Sequence, residues 1–290
     1  MKRDRVIFVL FLSPLIAFMI IMVFVPFVIA LLSSFGLTEV AEGLTGEFTL
    51  NGYVTFFDPS EPNIQCLLFT IEVTFVATFL STAIGYFLAL FFKFRDVKLT
   101  KGISMILRIP LFTPYLIAAF MWFTLLFPSG YIGIIFKKLI VEYFGLMDKP
   151  LALISDPLGI GIIMCSVWMR FPVAFMIIYG LFEMIDPSLE EAGRNLGAKT
   201  WTIVRRIYFP LTKYGLLSAI TLNFLFLFIA FSIPFILGAS WPQFLSVFIY
   251  INAKDTGNWL MGYTTSIIYI VISLLISFIY TISFRRTGQQ

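Results

Sequence analysis

The chain has 290 residues, of which 60% are hydrophobic and 12% charged, with a formal net charge of +4 and a mean hydropathy of +0.97. Soluble domains carry about 25% charged residues, so a chain this apolar cannot cover its own surface in water and has the membrane as its solvent. Histidine is absent, and the two cysteines, Cys66 and Cys165, fall in or beside separate apolar segments. That pattern excludes histidine-based catalysis or metal binding and shows no disulfide framework; both thiols read as packed or lipid-facing.

Lys2, Arg3 and Arg5 precede an apolar run that continues to about Leu32. A signal-peptide core is only about 7–15 residues long and is followed by a small-x-small cleavage site, so this run reads as a retained first span. A spanning helix needs about 20 mostly apolar residues. Six stretches qualify: 6–34, 67–92, 103–127, 157–182, 211–238 and 261–284. Pro14, Pro26, Pro110, Pro114, Pro172 and Pro234 interrupt them. Such breakers persist where neighbouring helices or water satisfy the freed backbone, which points to bent helices around a cavity. The expectation is an all-α integral membrane protein of six transmembrane helices. Residues 1–35 hold the first helix and a short N-terminus, 36–66 an extracytoplasmic loop, and 67–290 a five-helix core containing a cytoplasmic loop at 183–213. The longest non-membrane pieces are about thirty residues, too short for a catalytic fold of their own.

Basic residues set the orientation. Lys2, Arg3 and Arg5, then Lys93, Arg95, Lys98 and Lys101, then Arg194, Lys199, Arg205, Arg206 and Lys213, and finally Arg285 and Arg286 fall in alternate connecting regions and hold 14 of the 20 Lys and Arg residues. The opposite regions hold Lys137, Lys138, Lys149 and Lys254; 35–66 has Glu39, Glu42, Glu47, Asp58 and Glu61 and no basic residue. By the positive-inside rule both termini and the 183–213 loop are cytoplasmic.

Within that loop, Ser188 followed three residues later by Glu191 fits a capping box. Leu189, Ala192, Gly193 and Leu196 recur at helical spacing and make one narrow apolar face. Gly197 suits the left-handed position that closes a helix. A second amphipathic piece, 201–208, leads to Pro210 and the fifth span. The expectation is a short helix, a tight turn and a second helix running into the membrane. Ala192, Gly193, Gly197 and Ala198 present a surface that another protein's backbone can approach closely. An ordinary helical linker with solvated charges is the plainer alternative, and periodicity alone leaves both open.

The spacing Glu191-Ala192-Gly193, three residues, Gly197, nine residues, Ile207, one residue, Phe209-Pro210 resembles the EAA loop of binding-protein-dependent ABC importer permeases. The family pattern reads E-A-A, three, G, nine, I, one, L-P. This sequence departs from it at Gly193, at a cost of roughly 1 kcal/mol of helix propensity, and at Phe209. Phe48-Thr-Leu-Asn-Gly-Tyr53 before the second span, Gly130-Tyr-Ile-Gly133 after the third, and Trp168 with Phe171-Pro172 in the fourth are similar to family features as well. The resemblance implies a type I ABC importer permease fold in a bacterial or archaeal cytoplasmic (inner) membrane. It further implies that the loop helix docks into a groove on a cytoplasmic ABC ATPase dimer and passes the closure of that dimer to the membrane helices. The coupling residues would be Glu191, Ala192, Gly193, Gly197, Ala198, Ile207 and Pro210. A second permease subunit, identical or homologous, and an extracytoplasmic solute-binding protein complete the implied assembly; nucleic acid has no place in it.

Gly197-Ala-Lys-Thr200 fails the phosphate-binding-loop pattern, which needs two glycines flanking four residues and a Lys directly after the second. No Walker motif occurs anywhere in the chain. Hydrolysis, with its ATP and Mg, is therefore expected in a partner ATPase, and this chain is expected to hold no catalytic residue, cofactor or metal.

Intramembrane ionisable residues are expensive and point to function. Arg170 lies near the middle of the fourth span beside Trp168, Glu72 in the outer part of the second, and Arg108 near the cytoplasmic end of the third. Arg170 reads as a cationic lining that favours anionic or zwitterionic solutes, or else as a structural partner of Glu72 or a snorkelling side chain. Asn223, Ser232, Thr264, Thr265 and Ser266 either line a polar route or make interhelical hydrogen bonds worth roughly 0.6 kcal/mol each. Sugar permeases usually carry Asp-Gly-Ala where this chain has Leu196-Gly197-Ala198. With Asp186-Pro-Ser-Leu-Glu-Glu-Ala192 and Pro234-Phe-Ile-Leu-Gly238, the loop is more similar to permeases for polyamines, ferric iron and phosphonates. A polyamine route should use carboxylates and aromatics; the aromatics are plentiful, whereas intramembrane carboxylates are nearly absent. The competing classes are a sugar-type permease, a six-span secondary transporter or channel, which needs inverted repeats and coupling acids, and a membrane-embedded enzyme, which needs a catalytic constellation. Neither inverted repeats nor coupling acids are evident.

Overall fold

The computed structural model describes residues 2–38, 46–61, 63–95, 100–143, 145 and 153–285. Glu39, Glu42, Lys98, Lys149 and Arg286, used above to assign orientation, lie outside these residues. All regular structure among them is helical: α1 (Lys2–Met19), α2 (Val25–Ser34), α3 (Asn51–Phe57), α4 (Asn63–Phe94), α5 (Thr100–Leu107), α6 (Tyr115–Leu126), α7 (Tyr131–Phe136), α8 (Ile160–Glu183), α9 (Pro187–Asn195), α10 (Thr200–Ile203), α11 (Phe209–Phe228), α12 (Ser232–Leu237), α13 (Leu245–Tyr250) and α14 (Trp259–Arg285).

Six stretches among the described residues are long and apolar enough to cross a membrane: Phe11–Ser34, Asn63–Phe94, Tyr115–Ile135, Ile160–Glu183, Thr200–Phe228 and Trp259–Phe278. Two of them are displaced from the hydropathy pattern, and proline is the cause in the first. The third span starts at Tyr115, not near residue 103, because Pro110 lies in a 3-10 turn and Pro114 occupies the N-cap of α6. Arg108 consequently falls in the break between α5 and α6. The fifth span starts at Thr200 and stops at Phe228, so Ser232 and Pro234 belong to the separate helix α12.

Proline also explains two wide turns. The π-helical turns Ile20–Phe24 and Val204–Tyr208 each end two residues before a proline, Pro26 and Pro210. A helical proline lacks an N–H and crowds the carbonyl four residues earlier. Those carbonyls belong to Met22 and Arg206, and both lie inside the widened turns. The helix survives each proline by loosening ahead of it.

The chain forms two compact units, Met1–Ile64 with Leu245–Ile272 and Gln65–Phe244 with Ser273–Gln290. In the first, Ser34 is fully buried, with its Oγ 2.8 Å from the Tyr53 hydroxyl and its carbonyl accepting from Thr264 Oγ1 at 3.3 Å. Phe35 lies against both Phe48 and Tyr53. Gly52 makes this contact possible, since a Cβ there would collide with Thr264.

The second unit is organised around α8, which packs against α6 and α11. Gly85 of α4 lets that helix approach the α8 backbone: a Cβ would stand 2.7 Å from both Ala174 Cβ and Phe175 N. Small residues at a membrane helix crossing serve this purpose, because dispersion contact replaces the hydrophobic effect as the driving force. Toward the 183–213 loop, Ala89, Phe175, Ile178, Phe182, Ile203 and Tyr208 join one buried cluster. It clamps the ends of α4 and α8 to the start of the fifth span.

Candidate functional site

The 183–213 loop is a helix–turn–helix. Its first helix, α9, begins with Asp186 as N-cap and Pro187 in the first turn; Asp186 Oδ1 accepts from Ser188 N at 2.9 Å. The capping box expected from Ser188 and Glu191 does not form. Proline is pre-shaped for the first helical position, which moves the cap back to Asp186 and uses the Ser188 amide. The hydrogen bonds from Ser188 hold the Asp186 carboxyl below its usual range. Helix α9 ends as the sequence leads one to expect, with Gly197 at φ 77°. Gly197 N donates to Arg194 O at 2.9 Å and Ala198 N to Gly193 O at 3.0 Å, the paired closure of a Schellman turn.

The inner face of α9 is fixed by a contact the sequence pattern did not reveal. Glu190 Oε1 accepts from Arg194 Nη2 at 2.8 Å, and Glu190 Oε2 accepts from the Tyr208 hydroxyl at 2.8 Å. Burial pushes the Glu190 carboxyl up. Hydrogen bonds from Arg194 and Tyr208, with the charges of Arg194 and Lys93, outweigh it and leave the group below its ordinary value. Lys93 also bridges to Glu183 at 2.9 Å, joining the ends of α4 and α8. Gly193 faces Ile203 and Ile207, and Ala198 packs on the buried cluster. Of the residues assigned to coupling, Glu191, Ala192 and Gly197 are exposed, whereas Gly193, Ala198 and Ile207 turn toward the chain's own body. Leu196, 88% exposed, and Trp201, 67% exposed, extend the outward apolar face.

Arg170 is buried at the middle of α8. Its Nε donates to Asn223 Oδ1 at 3.1 Å and its Nη1 to the Tyr115 hydroxyl at 3.4 Å, while the guanidinium lies 4.5 Å from the Phe226 ring centroid. Asn223 in turn donates from Nδ2 to Ser81 Oγ at 3.4 Å. The pairing with Glu72 considered above is absent. Glu72 is exposed on α4, nine residues before Ser81, and a rise of 1.5 Å per residue puts it roughly 13 Å along that helix from the network.

The pathway candidates thus separate. Arg170 and Asn223 come together; Glu72 stands alone on α4; Ser232 opens α12; and Thr265, fully buried, belongs to the other compact unit. Thr264 ties two helices of that unit, and Ser266 bonds Gly262 of its own helix. Ser81 and Tyr115 were missed because a hydroxyl in an apolar run carries no sequence signal until a neighbour is known. Thr78 and Thr82, whose buried hydroxyls find no partner among the described residues, line a 430 Å³ groove between α4 and α11 with Phe79 and Phe224.

Six apolar helices among the described residues, a buried polar network and a polar helix–turn–helix between the fourth and fifth spans define a multi-pass membrane permease. Residues 81–289 match the family model described as "Binding-protein-dependent transport system inner membrane component", and the chain belongs to that family. It is the permease of an ABC importer, located in the inner membrane. Across 266 residues it is 25% identical to the spermidine/putrescine transport system permease protein PotB of Salmonella typhimurium, covering 92% of this chain and 90% of that one. The PotB of Escherichia coli is 24% identical, at 92% and 94% coverage. Among solved structures, a bacterial ABC transporter involved in the import of the acidic polysaccharide alginate superposes with a TM-score of 0.80 at 19% identity, covering 99% of this chain and 97% of that one. The MetNI methionine ABC transporter in an inward-facing conformation gives 0.58 at 21% identity, with 77% and 94% coverage. At those identities the likeness concerns the fold, which is that of type I importer permeases.

Proposed function

We propose that this chain is one permease half of an importer whose ATP and Mg are bound by a separate cytoplasmic ABC ATPase dimer, with α9 as the element that the ATPase grips. A second permease subunit and an extracytoplasmic solute-binding protein complete the assembly. Both termini and the 183–213 loop face the cytoplasm, as the distribution of Lys and Arg requires. The observation that carries this reading is the two-sided character of α9. Its inner side is locked by Glu190, Arg194 and Tyr208, while its outer side offers Glu191, Ala192, Leu196 and Gly197 to a partner. Exposed apolar residues on a rigid polar support are what a protein interface needs, and the support lets a push on α9 travel into the fifth span without a flexible joint.

The freight on this reading is a small polar or charged solute. Full-length similarity to permeases named for spermidine and putrescine supports a small organic solute. Position 196 offers a direct test. Cys66 and Cys165 are both buried, so in a Leu196→Cys variant the introduced thiol is the accessible one and takes a benzophenone–maleimide selectively. Irradiation of the assembled importer should cross-link this chain to the ATPase subunit, with a yield that changes when ATP is added. Labelling only lipid, or the chain itself, would refute the docking role of α9.

A further inference from the structure

Arg170 carries a charge that none of the described residues matches. It lies ten residues from the start of α8 and thirteen from its end, so roughly 15 and 20 Å along the axis from either terminus, close to the bilayer centre. Its partners among the described residues, Asn223, Tyr115 and the face of Phe226, are all neutral. Nη2 donates to nothing among the described residues, and no salt bridge there involves Arg170. Nor do nearby acids serve. Glu72 is out of reach on α4, and Asp156 is committed to the N-terminus of α8, accepting from Ile160 N at 2.8 Å and Gly161 N at 3.4 Å. A structural arginine at this depth is ordinarily matched by a carboxylate; here the partners orient the guanidinium without neutralising it.

The burial is also shallow in one direction. Arg170 is 6% exposed, yet Tyr115 and Phe226, which cover it, are 39% and 53% exposed. A single layer of side chains separates the guanidinium from the surface of its unit. Asn223, anchored by Ser81, fixes the Nε side of the fork, so the Nη2 side is the one that remains to be filled.

We propose that Arg170 is the point at which the permease recognises an anionic oxygen group, a carboxylate or a phosphonate, on the solute it conducts. The planar fork suits such groups, and Tyr115 and Phe226 form the cover that a passing solute displaces. This rests on the permease reading above and narrows its freight. The solute is anionic or zwitterionic, and a purely cationic polyamine is disfavoured.

The test uses the assembled importer, permease pair with ATPase, in nanodiscs. Trp168, two residues before Arg170, points to a different face of α8, so binding is read by isothermal titration calorimetry and not by intrinsic fluorescence. Acetate, methylphosphonate and putrescine are titrated at constant ionic strength. Acetate or methylphosphonate should give a saturable change, with putrescine giving none. Arg170→Gln should weaken the anion response on the order of 10- to 100-fold, the value of charge-assisted hydrogen bonds. Arg170→Lys, which keeps the charge but loses the planar fork, should keep the response at a weaker midpoint. An equal anion response in wild type and Arg170→Gln, a Lys variant indistinguishable from wild type, or saturation by putrescine alone overturns the proposal. So does an importer that ignores anions but loses its second permease subunit in Arg170→Gln, since the counter-charge would then come from the neighbour. Cross-linking from position 196 reports on the permease reading separately, so the two can fail independently.

Discussion

Replacing Gly193 with alanine tests which way the middle of α9 faces. The added Cβ would stand 3.4 Å from Ile203 Cγ1, 3.6 Å from Ile207 Cδ1 and 3.7 Å from Ile203 Cδ1, ordinary contact distances with nothing to displace. Helix propensity favours the change by about 1 kcal/mol, and burying one methyl group adds up to about 0.8 kcal/mol. Together these predict that α9 opens about 5- to 20-fold less often, since each 1.4 kcal/mol is a factor of about ten. Hydrogen–deuterium exchange of the peptide covering 187–197, measured on the assembled importer, reads this directly. Transport should persist, because position 193 touches the chain's own isoleucines. Unchanged or faster exchange, or loss of the ATPase subunit from the Gly193→Ala complex, would show that Gly193 instead faces the partner.

Three further outcomes follow from the same geometry. Gly85→Val should lower the thermal midpoint by an amount equivalent to about 1–3 kcal/mol, the usual cost of overpacking, because even its Cβ meets the α8 backbone; an unchanged midpoint would mean α4 and α8 are not in this contact. Tyr208→Phe removes the hydroxyl held by Glu190 and should speed exchange in α9 severalfold while leaving the body of α11 unaffected; equal loosening of both helices would point to a packing defect instead. Finally, the folded Glu190 carboxyl titrates below its ordinary value, so its contribution is complete above about pH 4.3 and is lost as pH falls through the lowered value. The protection factor of α9, that is, exchange corrected for the intrinsic pH dependence of amide exchange, should therefore fall at acid pH in the wild type, and a Glu190→Gln variant should show a flatter profile; parallel profiles would refute the role of that carboxylate.

Much of this architecture is legible before any coordinates. Long apolar runs locate the spans because backbone hydrogen bonding in lipid leaves few alternatives to a helix. Gly197 closes α9 because a left-handed residue is cheapest as glycine, and its spacing from the apolar face is visible in the sequence. Boundaries next to proline were less legible. Pro110 and Pro114 lie in the break between α5 and α6, whereas Pro26 and Pro210 follow π turns that keep the helix continuous, and hydropathy cannot distinguish the two. The start of α9 was misplaced for a related reason, since Pro187 competes with Ser188 for the first turn. The buried polar network around Arg170 was least legible. Arg170 announces itself as a charge in an apolar run, but Ser81, Tyr115 and Phe226 are unremarkable until α4, α6 and α11 are brought against α8. Likewise Glu190 and Tyr208 are 18 residues apart, and only the turn at Gly197 makes them neighbours.

Coupling through α9 is tested most directly at Gly197. Its Cβ position has nothing within 4 Å, so the chain itself has room for any side chain there. At φ 77° alanine and tryptophan both carry a left-handed backbone cost of about 1–2 kcal/mol. Comparing Gly197→Ala with Gly197→Trp in proteoliposomes containing the complete importer therefore separates backbone strain from bulk at the partner's surface. The expected result is transport near the wild-type rate for alanine, and continued ATP hydrolysis with transport abolished for tryptophan. Normal transport by Gly197→Trp, or equal losses in both variants, would contradict the coupling role of this helix.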